Sequence, residues 1–222
     1  MIRINRDSVE VPEVLQGAQP RYDRPEVREA LSQMQHGKCC YCEKKIPTAG
    51  GGQGVEHFRP KGKYPGLKDE WRNLLHACPA CNGAKREKFP MQEDGTPLLI
   101  DPSDPTIDPE DHIIFDVNDE EVLTFGRAVP KDGSPFGEKT ICAIKLDVPQ
   151  QRYDRKSVLG DLWGAYAAMH QADPATLDSK VSAFQALLGA NQPYAAFSRA
   201  FAREKKLDEK FNVQIPTGAD CE

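Results

Sequence analysis

The sequence predicts an α+β protein: a small core of strands and a helix built around cysteines, then a short β-hairpin, then a mainly helical C-terminal part. Three observations predict it. Two CxxC pairs, Cys39 with Cys42 and Cys78 with Cys81, stand 35 residues apart and bracket two short strand-like runs. Two apolar runs separated by turn residues follow between residues 112 and 126. Beyond residue 155, apolar residues recur in three successive stripes at the 3.6-residue period that gives a helix one buried face.

The elements follow in order. "RPEVREALSQMQHG" has proline at an early helical position, Val27, Leu31 and Met34 on one face and Gly37 as a stop, so a leading helix ends in front of "KCCYCEKKI". "TAGGGQG" reads as a flexible loop, because its glycines lack the lysine and hydroxyl residue of a phosphate loop. "VEHFRP" and "WRNLLHAC" read as strands with a basic loop between them, and "NGAKREKF" begins a short helix. "HIIFDV" and "EVLTFG", separated by Asn118 and Asp119, predict the hairpin. "SPFGEKTICAIKL" predicts a helix capped by Ser134, with Ile141 and Ile144 on one face. The three stripes are Val158, Leu162, Tyr166 and Met169, then Leu177, Val181, Phe184 and Leu188, then Tyr194, Phe197 and Phe201. They read as core or partner surface. The chain thereby divides into an N-terminal segment with the leading helix (1–35), a core framed by the two CxxC pairs (36–90), an acidic segment with hairpin and helix (91–150) and a helical region (151–222).

Bulk properties narrow the functional classes. No window approaches the ~20 apolar residues of a membrane span, and "MIRINRDSVEVPEVL" lacks the basic start and apolar run of a secretion signal, so a cytoplasmic protein without a membrane partner is expected. Seven cysteines in a chain of 222 residues fit metal binding better than a disulfide scaffold. The net charge of −5 is unevenly spread: residues 36–90 hold 11 Lys and Arg against 5 Asp and Glu, so this block is basic and the remainder acidic. A polyanionic partner for the block is the functional reading, and a solvated basic surface the plainer one.

A CxxC turn converges two thiolates on one ion, and two such turns complete the tetrahedral sulfur cage that Zn2+ prefers. A dithiol redox switch needs one pair rather than two. Cys40, Cys142 and Cys221 are spare thiols on this count, and Cys40 replaces Cys39 if the register shifts by one. Between and after the halves of the cage lie the residues able to do chemistry. Glu56 and His57 are adjacent, so on a regular strand they point to opposite faces, and a shared task requires a bend. With His57 turned to a substrate and Glu56 to a cation, the pair activates water and holds a metal. Asn82 offers a second oxygen, leaving open positions that suit Mg2+ with its waters. His76, two residues before Cys78, reads as a surface group or a support for the zinc ligands.

"CCYCE", "VEHFRPKGKY", "WRNLLHACPACNGAK" and "KFP" resemble the HNH endonuclease family in its ββα-metal, treble-clef form with a four-cysteine zinc knuckle. More narrowly, "VEHFRPK", the later "LLIDP" and "TICAIKLDV" resemble the HNH nucleases of the Septu antiphage system and related retron effectors. The resemblance covers about residues 22–160. It implies Glu56 and Asn82 as ligands of Mg2+ or Mn2+, His57 as general base and Asn73 as the asparagine that orients the His57 loop. Many family members have Asp where Glu56 stands and His where Asn82 stands. Arg59, Lys61, Lys63, Lys85 and Arg86 cluster around His57 and Asn82 and suggest phosphate contacts, which position nucleic acid without reading it. The expected activity is metal-dependent cleavage of DNA, and the resemblance implies an ABC-type ATPase of a Septu-like defence complex as partner. The alternative is a zinc-dependent module that binds nucleic acid or protein without cutting it.

Overall fold

The computed structural model describes residues 1–47, 54–117 and 125–217. Most of the predicted glycine loop, the hairpin turn at Asn118 and Asp119, most of "EVLTFG" and Cys221 lie outside the described residues.

Helix α1 (Pro25–Met34) starts where Pro25 occupies its first turn and ends where His36 and Gly37 adopt positive φ. Its buried face is Val27, Leu31 and Met34, at the spacing the sequence predicts. The chain then folds into a knuckle closed by an antiparallel bridge between Lys38 and Lys45 and by the Ile46 N–H donating to the Gly37 carbonyl at 2.8 Å. Strand β1 (Gly54–His57) pairs antiparallel with β2 (Leu74–Ala77), in a register that sets Glu56 opposite Leu75 and His57 opposite Leu74. Helix α2 (Pro79–Lys85) follows β2 immediately, again with proline in its first turn, and packs against β1, while α1 packs against β2. Two strands and a helix thus place both CxxC pairs and the Glu56-His57 pair within one small unit.

The rest of the chain closes around this unit. Strand β3 (Ile113–Phe115) pairs with β4 (Ala128–Pro130), so the second strand of this hairpin falls just beyond the run the sequence predicts. Helix α3 (Pro135–Ile144) packs on β4 and α2, and the Ser134 hydroxyl accepts from the Gly137 N–H as its cap. Gly137 is required here, because a Cβ would collide with the His112 carbonyl oxygen. Helices α4 (Pro149–Lys156), α5 (Leu159–His170), α6 (Leu177–Ala186), α7 (Ala195–Glu204) and α8 (Leu207–Phe211) complete the fold.

Buried apolar side chains from all four sequence segments join one cluster, from Met1 and Ile2 through Leu31, Leu75, Leu99 and Ile144 to Phe184, Phe197 and Phe201. The three stripes face this cluster, with Leu162, Met169, Phe184, Leu188, Tyr194, Phe197 and Phe201 buried. Of the two readings the sequence left open for them, core is the one observed. Glu43 of the knuckle ties the layers together: its carboxylate lies 2.8 Å from the Met1 amino group and 3.4 Å from Lys38 Nζ, and it accepts from the Ala196 N–H of α7. No helix among the described residues is long and apolar enough to cross a membrane.

Candidate active site

The sulfur cage forms as the spacing predicts. The Sγ atoms of Cys39, Cys42, Cys78 and Cys81 all lie within 4.8 Å of one another, and the four residues are buried. Four thiolates at ~2.3 Å from one Zn2+ stand about 3.8 Å apart, and the Cys42 and Cys78 sulfurs are 3.8 Å apart. The donor set therefore fits zinc. Cys40 is buried outside the cluster, its N–H donating to the His76 carbonyl, so the register is that of Cys39. Cys142 is exposed on α3. The Gln151 amide of α4 reaches Cys81 Sγ at 3.7 Å, so the helical region touches the cage directly.

Beside the cage, β1 runs without a bend through Glu56 and His57, and the Phe58 N–H continues the ladder to the Asn73 carbonyl at 3.0 Å. The bend falls just after the pair, at Phe58 and Arg59, rather than between its two residues. The two side chains instead meet different neighbours, as alternation on a strand dictates.

Glu56 is 2% exposed, and its Oε1 lies 2.5 Å from Lys85 Nζ and 3.5 Å from the Tyr41 hydroxyl. Burial pushes this carboxyl up to about 7 against the pull of Lys85. The expectation that Lys85 lies on the surface to meet phosphate is corrected: its side chain is fully buried, pairing with Glu56 and donating to the His57 carbonyl at 2.7 Å. The signal was available, because Lys85 follows Cys81 by four residues and therefore shares its inward helix face.

His57 is held on its other side. Nε2 lies 2.9 Å from the Lys68 carbonyl oxygen. A carbonyl only accepts, so Nε2 carries the proton and the Nδ1 lone pair is left to act as a base. Burial holds the imidazole below its ordinary value, with Lys61 and Lys85 adding to the effect and the Lys68 carbonyl opposing it. A neutral imidazole near pH 7 is the form a general base requires.

Asn73 spends its whole amide on the loop between the strands. Its Oδ1 accepts from the Arg59 N–H at 2.7 Å, and its Nδ2 donates to the Arg59 and Leu67 carbonyls, both at 3.0 Å. Asn82, on the first turns of α2, donates from Nδ2 to the Val55 carbonyl at 3.3 Å, which fixes its amide next to β1. These contacts engage Oε1 of Glu56 and Nδ2 of Asn82, so each side chain has a further oxygen, Glu56 Oε2 and Asn82 Oδ1. Two hard oxygen donors of this kind fit a divalent cation that keeps several waters, with Lys85 sharing the Glu56 carboxylate.

The remaining cations lie outside. Lys61, Lys63 and Arg86 are exposed, and the half-buried Arg59 guanidinium rests over the rings of Tyr64 and Phe89 at 5.6 and 5.3 Å. His76 is 1% exposed rather than a surface group, and its Nε2 has no hydrogen-bond partner among the described residues. Tyr41 and the carbonyl of Lys68 were missed by sequence reasoning. A backbone carbonyl leaves no residue-type signal.

A β-β-α unit with a four-sulfur cage and an acid-His pair defines a class. Residues 39–88, which hold all four cage cysteines, Glu56, His57, Asn73 and Asn82, match the model of the HNH endonuclease family. Beyond that domain, the chain is similar to two curated proteins named Septu protein PtuB. The one from Bacillus thuringiensis is 37% identical over 111 residues, covering 50% of this chain and 40% of that protein. The one from Bacillus mycoides (strain KBAB4) is 32% identical over 167 residues, covering 64% of this chain and 53% of that protein. The chain thus spans about half the length of the curated relatives it matches.

Proposed function

We propose that this chain is a metal-dependent endonuclease that hydrolyses DNA phosphodiester bonds in the cytoplasm, as the effector of a Septu-like antiphage defence complex. The observation that carries the reading is the anchoring of His57: Nε2 is committed to the Lys68 carbonyl at 2.9 Å, which leaves the Nδ1 lone pair as base. His57 Nδ1 takes a proton from water, and the resulting hydroxide attacks phosphorus. Asn73 keeps the loop after His57 in one conformation through three hydrogen bonds, so the base does not wander. Glu56 and Asn82 are the residues that would hold Mg2+ or Mn2+, which when bound supplies positive charge to the departing 3′ oxygen. Arg59, Lys61, Lys63 and Arg86 draw the phosphate backbone to this face.

The resemblance to Septu proteins supports an ABC-type ATPase as the partner that restrains or triggers cutting. With the apolar stripes buried in the core, docking falls to the outer faces of the tail helices and to the acidic segment 91–135. A second reading, the zinc-dependent binder, is favoured by one observation: Lys85 already neutralises Glu56. Incubation of supercoiled plasmid with the purified protein and Mg2+ or Mn2+ separates the two. A nuclease converts plasmid to nicked and linear forms, whereas a binder retards it without cutting, and retardation alone would remove the enzymatic reading. Affinity capture from the native host with recovery of an ATPase tests the partnership.

A further inference from the structure

We propose that Tyr22, a residue outside the HNH match, is a positioning residue for His57 and the mooring of Lys61; the inference rests on the nuclease reading. Tyr22 precedes α1 and is joined to the catalytic loop at three points. Its N–H donates to Asp69 Oδ1 at 2.9 Å, its hydroxyl accepts from Lys61 Nζ at 2.6 Å, and its ring meets the His57 imidazole edge to face, with centroids 4.6 Å apart and planes at 81°. Asp69 adjoins Lys68, whose carbonyl holds His57 Nε2.

These contacts close a ring: His57 to Lys68, Lys68 to Asp69 along the chain, Asp69 to Tyr22, and Tyr22 back to His57. One hydrogen bond fixes where the imidazole is anchored but leaves it free to tilt about that bond. The Tyr22 ring removes the tilt, because an edge-to-face contact has a preferred geometry. The hydroxyl does a second task. It keeps the exposed Lys61 ammonium, 5.0 Å from the Tyr22 ring centroid, beside the base rather than swinging in solvent.

The test is steady-state cleavage of a short DNA duplex by wild type, Tyr22→Ala and Tyr22→Phe, with zinc content and thermal stability measured in parallel. Tyr22→Ala is expected to lower kcat about 10-fold to 100-fold, the usual scale for a misaligned catalytic group, and to raise KM at least as much as loss of the hydroxyl alone, because both contacts that moor Lys61 go with the side chain, with zinc retained. Tyr22→Phe keeps the ring and is expected to recover most of that kcat while raising KM, since only the Lys61 mooring is lost. Wild-type kcat in Tyr22→Ala, equal damage in both variants, or a loss that tracks zinc or stability would overturn the proposal. If wild type cuts nothing, the nuclease reading fails by itself, and NMR of histidine-labelled protein decides the positioning claim. NOEs between the His57 ring and Lys68 then weaken in Tyr22→Ala and persist in Tyr22→Phe if the claim holds, and persist in both if it does not.

Discussion

Lys85 sits one helical turn after Cys81, so the face of α2 that delivers a thiolate to the cage also carries an ammonium into the interior. Once there, it meets the Glu56 carboxylate and the His57 carbonyl. Removing one member of a buried ion pair leaves the other charge without compensation, a loss of about 3 to 5 kcal/mol. Lys85→Met is therefore expected to lower the unfolding free energy by up to that order, most at pH above 7 where Glu56 would be ionised, and the double variant Lys85→Met with Glu56→Gln to regain much of it. Urea titrations of the two proteins check this. If the double variant is no more stable than Lys85→Met alone, the pair is not what holds Glu56. The expectation of a surface Lys85 shows where residue-type reasoning runs out: clustered positive charge points to phosphate, but the helix period decides which lysine reaches it.

At the scale of elements the cage was legible because a CxxC spacing states its geometry outright, and the two strands and the short helix were legible in outline, although Trp71–Asn73 form a 3-10 turn ahead of β2 and α2 starts at Pro79 rather than at Asn82. The long loop between β1 and β2 was legible only in part. Asn73 was singled out through the resemblance, whereas the Lys68 carbonyl and Tyr22 act through backbone and aromatic contacts that spacing does not encode. The partner strand of β3 is Ala128–Pro130, because strand pairing is settled by tertiary packing against α3 rather than by a local apolar run. Two predictions belong here. Cys78→Ala and Cys81→Ala are expected to lose the bound metal, about one zinc per chain, together with thermal stability, and elemental analysis that finds zinc undiminished would mean the cage is misassigned. Asn73→Ala loses three hydrogen bonds and leaves the Arg59 N–H without its acceptor, a cost of about 2 to 4 kcal/mol. It is expected to slow cleavage with zinc retained, and unchanged kinetics and stability would contradict the staple role.

Across the whole molecule the helical tail is part of the core that supports the cysteine-cage unit rather than an appendage to it. Glu43 makes this physical. Burial alone would raise its carboxyl, yet the Met1 amino group, Lys38 and Arg199 hold it at about 2 instead of the ordinary 4.5. A carboxylate with a depressed value contributes stability that is fully present above the unfolded value and is lost as pH falls through the folded one, here between about 4.5 and 2. The contribution is about 3 kcal/mol. Glu43→Gln is expected to be less stable than wild type at pH 7, with the gap closing as pH falls toward 2, and a gap independent of pH would show that the charge is not responsible. The three apolar stripes illustrate a limit of sequence reading at this scale: periodicity identifies a buried face but not what buries it, and here the chain's own core does. The proposed base of the nuclease is His57, held by the Lys68 carbonyl with its Nδ1 lone pair left over. The decisive measurement is the rate of plasmid cleavage by wild type and His57→Ala, at matched zinc content, with Mg2+ or Mn2+ present. Wild type is expected to cut and His57→Ala to be slower by about 10² to 10⁴; a His57→Ala protein that cuts at the wild-type rate would rule out His57 as the base.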